Sequence, residues 1–176
     1  MYPYGQTIVS AAASSAAVTA ASSTDLVPNY NWTIPAGTLQ IGQKWRIHAS
    51  GVATTTTGSN TMLFSVNAGG TNVLNQAFGA ITFIASQTNQ KWWLDIDLEC
   101  RAIGAGTSTT FVGTGAFLCS TALLAVCFQA LPASGAITAG TGIDGTAAQK
   151  ISLYGTWGAV SNSITVEQYE VVALYQ

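Results

Sequence analysis

From residue 91 to 101 the chain reads Lys-Trp-Trp-Leu-Asp-Ile-Asp-Leu-Glu-Cys-Arg, an alternation of apolar and polar positions with a period of two. Trp92, Leu94, Ile96, Leu98, Cys100 and Ala102 share one face, and Trp93, Asp95, Asp97, Glu99 and Arg101 share the other. A half-buried antiparallel strand sorts its side chains in this way. A helix, at about 3.6 residues per turn, would scatter both sets around its circumference. The stretch therefore predicts a central strand running on through Ile103, with its apolar face toward a core and its carboxylates away from it.

The same reading extends along the chain. Residues 44–52 predict a second strand, with Trp45, Ile47 and Ala49 on one face, Lys44, Arg46 and His48 on the other, and Gly51 where it bends. Residues 61–67 and 71–78 predict a hairpin around Ala68-Gly69-Gly70. After a turn at Gly104-Ala105-Gly106, residues 109–118 alternate again. Residues 150–157 and 164–174 form a last pair, joined by a turn through 158–163. Residues 25–39 carry Pro28 and Pro35, which restrict them to edge strand or loop. Residues 132–149 hold four glycines after Pro132 and predict a long loop with one short strand. About eight strands with turn signals between them and no long helix give an all-β chain, a single two-sheet antiparallel sandwich of jelly-roll type. Residues 1–24, Tyr-rich and then Ala/Ser-rich with no amphipathic face, predict an extended N-terminal arm or edge strand ahead of a sandwich domain spanning 25–176.

Composition adds a statement about surface. Only 7% of the 176 residues are charged, against about a quarter in ordinary soluble domains, while 48% are hydrophobic. A surface of hydroxyls, amides and apolar area is poorly suited to staying alone in water, so burial against neighbours is expected; a neutral, hydroxyl-rich secreted β-domain is the plainer alternative. Five Lys and Arg residues and a net charge of −2 exclude the electrostatic footprint of a nucleic-acid binder. Residues 1–5 lack a positively charged n-region and 11–23 are too polar for a signal-peptide core, so no cleaved export signal is expected. The most apolar run, 117–131, is shorter than the ~20 residues a membrane helix needs and is expected in the core or in a subunit interface. Cys100, Cys119 and Cys127 leave at least one thiol unpaired within a chain, and no zinc-type spacing accompanies them. Assembly in a reducing compartment without disulfides is the simplest account.

No residues announce an active site. Asp95, Asp97 and Glu99 stand about 6.6 Å apart along one strand face, twice the ~3.3 Å rise, too far apart to chelate one calcium ion together. The economical partners for them are Lys44, Arg46 and His48, as cross-strand charge pairs that fix register. His48 has no serine elbow or orienting acid singled out beside it. Asp95, Glu99 and Glu167 can be proposed as a glycosidase pair, but the first two are better read as a solvated or paired strand face. No catalytic residue, cofactor or metal is expected. The five Trp residues, with Tyr30, Tyr154, Tyr169 and Tyr175, could make a sugar-binding platform, although such aromatics more often serve core and interface. Trp45, Ile47, Trp92, Leu94, Ile96 and Leu98 are the expected core.

Three stretches carry a resemblance. Ile34-Pro35-Ala36-Gly37-Thr38-Leu39 followed by Gly42 and the strand from Lys44 to Gly51 is one, and Trp92 to Gly104 is the second. The third runs from Ala147-Ala148-Gln149-Lys150-Ile151-Ser152-Leu153 to Trp157, then Ser161-Asn162-Ser163-Ile164-Thr165-Val166. Together they resemble small jelly-roll structural proteins of tailed bacteriophages. The resemblance implies a non-enzymatic virion part, commonly trimeric, assembled in the host cytoplasm. It would serve either as a capsid decoration (cement) protein on the major capsid protein or another virion protein, or as a tail or fibre module that binds a host glycan. It implies neither a nucleic-acid nor a membrane partner. A secreted hydrolase or lectin is the weakest of the classes considered.

Overall fold

The computed structural model describes residues 5–58, 60–68, 71–72, 80–124, 127–133, 137 and 139–174. Among them the chain is all-β and holds no helix; two antiparallel sheets pack together as a β-sandwich. The strands are β1 (Gln6–Ser10), β2 (Thr24–Asp25), β3 (Trp32–Ile34), β4 (Lys44–Thr54), β5 (Thr61–Ala68), β6 (Thr71–Asn72) and β7 (Ala80–Thr82). They continue with β8 (Gln90–Ala102), β9 (Thr109–Cys119), β10 (Phe128–Leu131), β11 (Gly140–Ile143), β12 (Gln149–Trp157) and β13 (Ser163–Leu174). The larger sheet runs β1-β13-β4-β8-β9-β10, with β11 also on β9. The smaller runs β2-β12-β5-β6, with β3 on β12 and β7 on β5.

The long alternating stretches supply the middle of both sheets, and the additional strands are short pieces at their margins. β3 lies between the two prolines, where a short strand can pair at a sheet margin without a central ladder losing donors. β11 is the short strand inside 132–149. β5 and β6 pair with Ala68 opposite Thr71; Gly69, Gly70 and 73–78 of the expected hairpin lie outside the described residues. β10 falls within the run 117–131, whose mostly apolar sequence shows no clear alternation.

The sheets meet over one core. Trp45, Ile47, Trp92, Leu94, Ile96 and Leu98 from the larger sheet are all buried, and so are Met62, Phe64, Val66, Ile151, Leu153 and Trp157 from the smaller. Aromatic rings join the layers: Phe64 of β5 lies 5.8 Å from Trp92 and 5.5 Å from Phe117, and Phe83 bridges Phe117 and Trp157 at 5.5 and 5.6 Å. Offset and edge contacts at these separations add to the burial of large rings.

Of the register shifts in the larger sheet, the one between β13 and β4 shapes its outer face. The β13–β4 register shifts between Val166 and Gln168, so Glu167 is an extra residue opposite the step from Gly51 to Ser50. A Cβ at position 51 would overlap the Thr165 carbonyl oxygen, and only glycine lets β13 bulge this closely over β4.

Truncating Ile96 to Ala, fully buried between the sheets, should cost about 2–5 kcal/mol. Asp97→Ala, on the solvent face of the same strand, should cost less than about 1 kcal/mol. Chemical denaturation of both variants checks this, and equal midpoints would mean that β8 is inverted.

Candidate functional site: the outer face of the large sheet

Because β8 turns its apolar side inward, its other side forms the centre of an outer face completed by β4 and β13 on one flank and β9 and β10 on the other. This face has two halves. Toward the C-terminal end of β8 it is charged, and toward the N-terminal end it is apolar.

The charged half is a ladder set by register. Lys44 stands opposite Glu99, Arg46 opposite Asp97 and His48 opposite Asp95. Lys44 Nζ lies 3.3 Å from Glu99 Oε2, and Arg101 Nη1 reaches the other oxygen of Glu99 at 3.3 Å. Arg46 donates twice to Asp97, from Nε at 2.8 Å and from Nη2 at 3.1 Å. The hydrogen bond to Asp97 and its charge hold the guanidinium above the ordinary arginine pKa. His48 Nδ1 lies 3.4 Å from Asp95 Oδ1, and on its other side the register brings Glu170 of β13 opposite it. The three basic side chains thus meet the three acidic ones rung by rung. Such pairs at half-exposed positions, 52% for Arg46 and 48% for Asp97, favour one register and contribute little to stability. Among the described residues no group of three or more His, Cys, Asp or Glu gathers to hold a metal ion.

The apolar half is a row across three strands. Trp93 of β8 faces Leu118 of β9, and Leu118 faces Phe128 of β10. Directly opposed residues of antiparallel strands share a face, so the three side chains stand side by side in water, 42%, 40% and 53% exposed. Trp93 is legible in the sequence as the odd aromatic on the polar side of its strand. Leu118 is legible only through the alternation of 109–118, and Phe128 has no local signal. Trp32, Trp45, Trp92 and Trp157 are buried, as is Tyr169, so of the five tryptophans only Trp93 offers its ring to a partner. Tyr30 and Tyr154 are half-buried, and Tyr175 lies outside the described residues.

Beside Trp93 the bulge leaves an open depression of about 300 Å3, lined by Ser50, Gly51, Val52, Lys91, Glu167 and Gln168. Gln168 accepts a hydrogen bond from Ser50 Oγ at 3.1 Å, and Glu167 accepts one from Ser14 Oγ at 2.5 Å. Cys100 and Cys119 are buried, and burial pushes the Cys119 thiol up to about 11. Cys127, just before β10, is exposed.

Against known proteins the chain stands without a match: no family model, no curated protein and no solved structure matches it. Among the described residues no helix is long and apolar enough to cross a membrane.

The Arg46–Asp97 pair offers a direct check on the ladder. A double-mutant cycle to Ala at both positions should give a coupling of about 1 kcal/mol or less, and the coupling should shrink as salt rises. A salt-insensitive coupling of about 3 kcal/mol or more would show a desolvated pair and contradict this open geometry.

Proposed function

We propose that the chain is a non-enzymatic structural protein of a phage virion, an oligomeric capsid decoration protein, trimeric, whose outer face docks on neighbouring subunits and on the shell. The observation that carries the reading is the exposed row Trp93, Leu118 and Phe128, on a chain with only 7% charged residues. A contiguous apolar patch rimmed by polar groups marks an interaction surface more often than a solvated one. Aromatic anchors at the centre and charges at the rim are the usual anatomy of an interface. The resemblance of residues 34–51, 92–104 and 147–166 to small phage jelly-roll proteins supplies the virion setting.

Strand order supports the jelly-roll part of the reading. In chain order the four long strands of the larger sheet are β4, β8, β9 and β13, and in space they lie β13-β4-β8-β9. The last strand beside the first, with the others following, is the Greek-key order from which jelly rolls are built. β12 beside β5 repeats the neighbouring of late and early strands in the smaller sheet.

A second reading, a tail or fibre module binding host glycan, is favoured by the depression beside Trp93. There an exposed indole stands next to an amide, a carboxylate and an ammonium group, the mixture that recognises a sugar's apolar face and hydroxyls. Copy number separates the two. Quantitative mass spectrometry of purified particles should find the chain in proportion to the major capsid protein; a few copies per particle would favour the fibre reading, and absence from particles would overturn both.

The apolar row has its own test. Replacing Trp93, Leu118 and Phe128 together by Ser should leave the unfolding midpoint within about 1 kcal/mol of the parent, since the side chains are already substantially exposed. It should also abolish co-sedimentation with particles stripped of the chain. Retained co-sedimentation would place the docking surface elsewhere.

A further inference from the structure

The first strand is held on the sandwich almost entirely from its backbone. β1 lies antiparallel on the outer edge of β13, from Gln6 opposite Ala173 to Ser10 opposite Glu170. Beyond β1 the segment keeps to the same edge. Ala11 N donates to Tyr169 O at 2.8 Å, Ser15 N to Val166 O at 2.8 Å, and Val18 and Ile164 exchange two bonds at 2.8 and 3.0 Å. Three hydroxyls add side-chain bonds: Thr7 Oγ1 to Glu170 Oε1 at 2.6 Å, Ser14 Oγ to Glu167, and Ser15 Oγ accepting from Val166 N at 3.0 Å. Yet no side chain from 5 to 18 is fully buried; Val9, Ala11, Ser15 and Val18 are half-covered and the rest are exposed. Lifting this segment would uncover only the margin of the core, where Val9, Ala11 and Val18 pack against it and Val18 O accepts from Trp157 Nε1 at 3.2 Å. It would leave a row of unpaired donors and acceptors along β13, an edge that another strand can satisfy.

We propose that the β13 edge is an interaction surface between copies of this chain, and that its occupant in the assembled protein is the 5–18 segment of a neighbouring copy. The fit of that occupant is set by the segment lying there now: the same backbone ladder, with the same hydroxyls on Glu167 and Glu170, forms whichever copy provides it. Exchange of an identical element conserves every contact and is a low-cost route to closed assemblies. The choice between the two arrangements then falls to concentration and to the connection. That connection, Thr19-Ala20-Ala21-Ser22-Ser23, is largely exposed and carries no bulky side chain. Extended, five residues span about 17 Å, enough to pass from one sandwich to the next across a close interface. The proposal rests on the self-association in the reading above and not on attachment to a shell.

Cross-linking between two differently marked chains tests it. One full-length chain carries Thr7→Cys and a second carries Val172→Cys, opposed residues in the β1–β13 register and within disulfide reach across an antiparallel pair. Both also carry Cys127→Ser to remove the exposed native thiol. Exchange predicts that mixing the folded chains under mild oxidation gives a covalent heterodimer, with the 7–172 bond identified by peptide mapping, and that roughly tenfold dilution lowers its yield several-fold. A single chain with both substitutions serves as control and should close on itself when dilute. If that control closes at every concentration while the mixture yields no heterodimer, the segment stays on its own chain and the proposal fails. If the control never closes, β1 does not lie on β13 and it fails as well. Ser10→Cys with Glu170→Cys repeats the experiment two register positions away should the first pair disturb folding. An oligomer in sedimentation without cross-linking would sink strand exchange alone, whereas a monomer at all concentrations would sink the assembly reading too.

Discussion

β4 and β8 pair continuously from Lys44 opposite Glu99 to Ala53 opposite Gln90, and the rest of the molecule depends on that register. Side chains on a strand alternate, so sliding one strand past the other by a single residue would turn its whole apolar set outward. In the observed register Trp45 meets Leu98 and Ile47 meets Ile96 on the inner side, while Arg46 meets Asp97 on the outer. Two selections act on the same alignment. Burial of the inner row supplies the free energy, and the outer row matches all three basic residues to carboxylates in this register alone, since a two-residue slip sets His48 opposite Trp93 or Lys44 opposite Arg101. The ladder is therefore understood as an alignment device, which accounts for a concentration of charge on one face of a chain with so little elsewhere.

How much of this was legible depends on whether a segment's partner lies in its own alternation. β4, β8, β9, β12 and β13 each carry the period of two needed to bury one face, and each is visible in sequence for that reason. The margins are legible only in part, as the allowance for an edge strand in 25–39, where β3 lies, and for one short strand in 132–149, where β11 lies. β10 sits inside a mostly apolar run in which Phe128 and Leu131 look equivalent, yet one is exposed on the outer face and the other buried. Only pairing with β9, a non-local fact, separates them. β1 precedes the Ala/Ser-rich stretch and has only Ile8 and Val9 as apolar positions, because its place on β13 is held largely by main-chain bonds and hydroxyls. The bulge at Glu167 is equally silent on its own strand, and its clearest mark is Gly51 on the strand opposite.

The outer face follows from the same geometry. Once the charges of β8 are matched by β4, the larger sheet presents a nearly neutral ladder beside an apolar row, and little net field remains to steer or repel a partner. Association through such a surface is governed by apolar area, with the rim pairs supplying orientation. The depression at the bulge and the edge of β13 lie on the same side of the sheet as Glu167 and Gln168, so the three features form one continuous region.

Association driven by the apolar row makes a claim about salt that association through the ladder would not. Rising ionic strength screens exposed charges within a Debye length of about 3 Å at 1 M, yet it leaves apolar burial intact. Sedimentation equilibrium of the native chain across a salt series is therefore the most direct measurement. The account predicts an oligomer at micromolar concentration whose association constant holds or rises from low salt to about 1 M. A chain that stays monomeric throughout, or an oligomer that dissociates as salt increases, would contradict it.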